Sequence, residues 1–141
     1  MALPNGAGGY QAGPGNTSEF VLGAAPTPAT MTSTASITAA QLQTGLILGS
    51  PGSSAATYTL PTVALLEAAA PNARNGSTFD FSIINVDGSG SGVITVATAA
   101  GWSIGSAGSQ GLMTIAATAG TAGRFRARKT GDSAWSLYRL A

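Results

Sequence analysis

The stretch from Gly123 to Leu140 constrains the fold more than any other part of the chain. Arg124, Arg126 and Arg128 alternate with Phe125 and Ala127. A period of two marks a strand with one wet face and one buried face. Gly131-Asp132-Ser133 then supplies turn chemistry, and Ala134 to Leu140 resume a strand-like pattern, so a closing β-hairpin is expected. Residues 1–35 show no such pattern. Gly6, Gly8, Gly9, Gly13, Pro14 and Gly15 interrupt any regular period, and Pro26 and Pro28 interrupt it again. The expected organisation is an extended N-terminal arm, residues 1–35, and a β body, residues 36–141.

Strand signals recur along the body with turn residues between them. Gly45 to Leu48 is a short apolar run closed by Gly49-Ser50-Pro51-Gly52. Ala56 to Leu60 alternates, with Tyr58 and Leu60 on one face. From Pro61 to Ala70 the period changes: Val63, Leu66 and Ala70 recur at helical spacing, with Pro61 suited to a first turn and Pro71-Asn72 as the stop. This is the only helix expected. In Ser77 to Val86, Phe79, Phe81 and Ile83 share one face, while Asp80, Ser82 and Ile84 share the other. Val93 to Val96, Trp102 to Ile104 and Leu112 to Ile115 complete the set. Short strands at this spacing, with one brief helix, predict an all-β fold: an antiparallel β-sandwich, jelly-roll-like, carrying an extended arm. No fixed internal period is visible, so a solenoid is not expected.

Charge and chemistry narrow the function. Six Lys/Arg against five Asp/Glu nearly cancel, so no electrostatic capture of nucleic acid or of an anionic membrane is expected. No apolar run reaches the roughly 18 residues of a spanning helix, and the opening residues have neither the basic nor the apolar region of a signal peptide. With no His and no Cys, the commonest general base and the thiolate nucleophile are both missing. Glu19, Glu67, Asp80, Asp87 and Asp132 are the carboxylates, and none is near another in sequence. Gly88, Gly90 and Gly92 precede a strand, where a phosphate cradle needs a helix N-terminus. The chain is therefore expected to be no enzyme, with no cofactor and no metal.

Binding is the remaining class. Tyr10, Gln11, Phe20, Val21 and Leu22 are isolated anchors in the Gly/Pro-rich arm, suited to laying an extended segment on a partner. Ala, Gly, Ser and Thr dominate the body, and a core built from them buries little apolar area. At about 25 cal/mol per Å² such a core is marginal against chain entropy, which predicts an oligomer that completes it. Phe79, Phe81, Arg124, Arg126, Trp135 and Tyr138 are the expected interface residues, the arginines reaching Asp80 or Asp132 across a subunit boundary. Trp102, Trp135 and Tyr138 could also stack on a sugar.

Three segments carry a resemblance. Gly8-Gly9-Tyr10-Gln11-Ala12-Gly13-Pro14-Gly15-Asn16 with Ser18 to Gly23, Thr59 to Phe81, and Gly123 to Arg139 together resemble small virion proteins of tailed bacteriophages. The stretch Ala97 to Ala122 departs from that pattern. The resemblance implies a capsid decoration (cement) protein, a homotrimer whose arm contacts the major capsid protein on the virion surface after synthesis in the host cytoplasm. The alternative it leaves open is a tail-fibre component that touches a host-surface glycan.

Overall fold

The computed structural model describes residues 23–87 and 90–141. The expected arm contacts Tyr10, Gln11, Phe20, Val21 and Leu22 lie outside these residues. In chain order the elements are β1 (Ala29–Met31), β2 (Ala35–Ser36), α1 (Ala39–Gln43), β3 (Leu46–Gly49), β4 (Ala56–Thr59) and α2 (Val63–Ala69). They continue with β5 (Thr78–Asn85), β6 (Ile94–Ala97), β7 (Trp102–Ser103), β8 (Thr114–Ile115), β9 (Ala122–Gly131) and β10 (Ala134–Arg139). The fold is mostly β, in two sheets, ordered β1-β3-β5-β9-β10-β7 and β2-β4-β6-β8.

Strand direction differs from the antiparallel, jelly-roll-like expectation. From β1 to β6 the chain crosses to the other sheet at every connection. Each strand therefore returns to its own sheet running the same way, and β1, β3 and β5 are parallel, as are β2, β4 and β6. Antiparallel pairing enters with β5–β9, β9–β10 and β6–β8, while β7 joins β10 in parallel. The early chain thus winds like a solenoid, against expectation. Ala29, Ile47 and Ile83 lie side by side, as do Ala35, Tyr58 and Val96, at unequal sequence intervals that leave no repeat to read.

This winding also moves the body's boundary. Ala29–Met31 and Ala35–Ser36 each pair within a sheet, so the body begins upstream of residue 36. One hydrophobic cluster takes residues from both sheets: Ile47, Phe81, Ile83 and Phe125 from the first, Tyr58, Ile94, Val96 and Ile115 from the second. Phe81 stacks on Phe125 with ring centroids 5.3 Å apart, a geometry that adds to area burial.

Each helix lies in a connection from one sheet to the other, α1 between β2 and β3 and α2 between β4 and β5. α2 forms where expected, with Val63 and Leu66 buried and the Thr62 side chain accepting from the Leu65 amide as N-cap. α1 is a second helix where one was expected. Thr38 accepts from the Gln41 amide at 3.1 Å and the Gln41 side chain accepts from the Thr38 amide at 2.8 Å, a reciprocal capping box that makes five residues helical.

Candidate functional site

The closing hairpin sorts its side chains as its sequence alternates. Gly123, Phe125, Ala127 and Lys129 are buried; Arg124, Arg126 and Arg128 are exposed. Lys129 therefore stands apart from the arginines beside it. Its ammonium donates to Glu67 Oε1 on α2, and the Trp135 indole Nε1 donates to the same oxygen at 3.1 Å. The Lys129 hydrogen bond, then the Trp135 one, holds the Glu67 carboxyl below its ordinary range. A buried cation needs such a partner, because its charge is costly to strip of water alone.

The outer face carries the second ionic cluster. Asp80 on β5 accepts from Arg126 Nε at 2.7 Å and from Arg126 and Arg124 terminal nitrogens at 3.0 Å each. The register causes this: Asp80 is directly opposite Arg126, and Arg124 is the next residue on the same face. The Arg126 hydrogen bond holds the Asp80 carboxyl below its usual value; desolvation opposes it, and the Arg124 hydrogen bond adds to it, while Asp80 raises the Arg126 guanidinium. The expected cross-subunit pairing with Asp80 is thus made inside one chain.

Other polar side chains hold loops. Arg139 donates to the carbonyls of Leu112 at 3.0 Å, Ala141 at 2.6 Å and Thr114, with its guanidinium 5.5 Å from the Phe125 ring centre. Asn85 is fully buried; its Nδ2 donates to the carbonyls of Gly92 and Ala116, and its Oδ1 accepts from the Asp87 amide. Tyr58 donates its hydroxyl to the Met31 carbonyl at 2.9 Å, and burial raises its pKa. Among the described residues no buried side-chain nitrogen or oxygen lacks a partner, and no cluster of metal-ligating side chains occurs.

The expected interface residues divide. Phe81 and Trp135 are enclosed within the single chain, 1% and 2% exposed, which corrects their assignment to a subunit interface. They sit on the core-facing side of their strands, and Trp135 packs 5.8 Å from Phe79 and 6.1 Å from Trp102. Burial likewise withdraws Trp135 from sugar stacking, and the Trp102 Nε1 is committed to the Pro61 carbonyl at 2.7 Å. Arg124 and Arg126 are exposed, and Phe79 and Tyr138 half-buried, so these four reach the surface.

Two surface features remain. Tyr138 and Arg126 border a shallow open depression with Ser109, Gln110 and Gly111. Between α1 and α2 lies an apolar cleft of about 250 Å³, lined by Leu42, Gly45, Leu66, Ala69, Ala70 and Phe79 and rimmed by Asp80. The sequence reading missed this cleft because it missed α1; the Thr38–Gln41 spacing is the signal that locates it. Chemically, the arrangement braces the fold: the carboxylates of Glu67 and Asp80 are both committed to its own cations.

Comparison of the chain with protein families, with curated proteins and with solved structures finds no match.

Proposed function

We propose that this chain is a non-enzymatic virion structural protein that decorates and stabilises a phage capsid, a β-sandwich body assembled as a trimer and anchored by its N-terminal arm. One observation carries the reading. The body's ion pairs, Glu67 with Lys129 and Asp80 with Arg124 and Arg126, tie its own elements together and leave surface and arm as the parts that meet a partner. The resemblance of both chain ends to small phage virion proteins gives that partner as the major capsid protein. A bound trimer would stabilise the shell by mass action, because it favours the assembled lattice over free subunits. Several weak contacts on one trimer add through multivalency.

Quantitative mass spectrometry of purified virions tests this. A copy number within a small factor of the major capsid protein is expected. A few copies per particle would move the assignment to a tail fibre, and absence would remove the virion reading. A deletion that probes the arm should end before Ala29, because β1 and β2 belong to the sheets.

A further inference from the structure

The cleft between α1 and α2 sits at the end of the molecule where the N-terminal segment enters. β1, β3 and β5 are parallel, with Ala29 beside Ile47 and Ile47 beside Ile83. Gly45, just ahead of β3, and Phe79 and Asp80, early in β5, line the cleft, so it lies at the starting end of all three strands. The chain reaches β1 from that same end. Gly23 to Pro28 is exposed and outside any helix or strand, and Pro26 and Pro28 keep it extended.

Leu22 is seven residues from Ala29, a reach of up to about 23 Å at 3.3 Å per residue. The cleft's sheet-side wall is Gly45, ahead of β3, with Phe79 and Asp80 of β5, and β5 is two strand spacings of about 4.8 Å from β1. From these two facts we infer that the cleft is the seat of the chain's own Phe20-Val21-Leu22, docked intramolecularly. The pocket is apolar, with Leu42, Leu66 and Phe79 at its walls, and these three residues are the densest apolar run upstream of it. The tether supplies an effective concentration of about millimolar, so weak apolar contacts suffice. A segment seated this way competes with any external partner for the same side chains, whichever partner that is. The inference stands apart from the capsid reading, since it requires no second protein.

The test uses the full chain, which has no native cysteine. A nitroxide is attached through Thr17→Cys, and amide signals of the ¹⁵N-labelled protein are compared with those of the reduced label. Signals of Leu42, Leu66 and Ala69 should lose most of their intensity, while those of Ser54 and Ser91, beside the far ends of β3 and β5, keep theirs. Phe20→Asp with Leu22→Asp in the same labelled chain should restore the α1 and α2 signals. Broadening that survives the two aspartates, or that is equal at Ser54, overturns the inference. So does broadening in a mixture of spin-labelled unenriched chains with unlabelled ¹⁵N chains, which would place a second copy in the cleft.

Discussion

Lys129 of β9 pairs with Glu67 of α2, whose Oε1 also accepts from the Trp135 indole, and this contact clamps the longer helix to the closing hairpin. Lys129 adjoins Arg128 in sequence yet faces the opposite way, because strand side chains alternate.

The clamp makes stability depend on acid pH. The folded carboxyl of Glu67 titrates below its unfolded value, so its contribution is full above about pH 5 and is lost as pH falls through the depressed folded pKa. Asp80 acts in the same direction. Glu67→Gln should lower the melting temperature at pH 7, and the gap from wild type should be smaller at pH 3. Thermal unfolding followed by circular dichroism at both pH values checks this; an equal gap at both would refute the clamp.

Asn85 braces two loops from inside the protein. Asn85→Ala should cost about 3 kcal/mol, since the carbonyls of Gly92 and Ala116 lose their donor. Asn85→Asp should be worse at neutral pH, because it buries a charge while removing both donors. Urea midpoints give the order.

Gly49 marks a close approach of the two sheets. A Cβ there would lie 2.5 Å from Ile94 Cδ1 and 2.9 Å from the Tyr58 ring. Gly49→Ala should destabilise by about 2 kcal/mol through overpacking. A urea midpoint unchanged from wild type would contradict that packing.

Tyr58 reaches across the core to the Met31 carbonyl, so Tyr58→Phe should cost about 1 kcal/mol at pH 7. Burial raises the phenol pKa in the fold, and the unfolded chain therefore ionises first. Stability from this group is present below about pH 10 and falls as pH rises beyond it. Chemical denaturation at pH 7 and pH 11 should show the variant narrowing its deficit at the higher pH.

Much of the local structure was legible from single segments. The alternation in Arg124 to Lys129, the inward set Phe79, Phe81 and Ile83, and the helical spacing of Val63 and Leu66 each state a periodicity, and each element formed. The same rule, carried further, places Lys129 and Asn85 inward. Helix α1 was readable from its capping pair but hidden by its length of five residues.

The sequence by itself determined that the chain is mostly β, which residues of its longer strands face inward, and where the closing hairpin turns. These follow from side-chain period and turn chemistry, which act over a few residues. Only the tertiary structure decided that the early strands run parallel in two sheets and that Glu67 meets Lys129. It alone placed Asp80 against arginines of its own chain and formed a cleft where the N-terminal segment enters. Strand direction and partner choice depend on how long connections cross between sheets, and no local period carries that information.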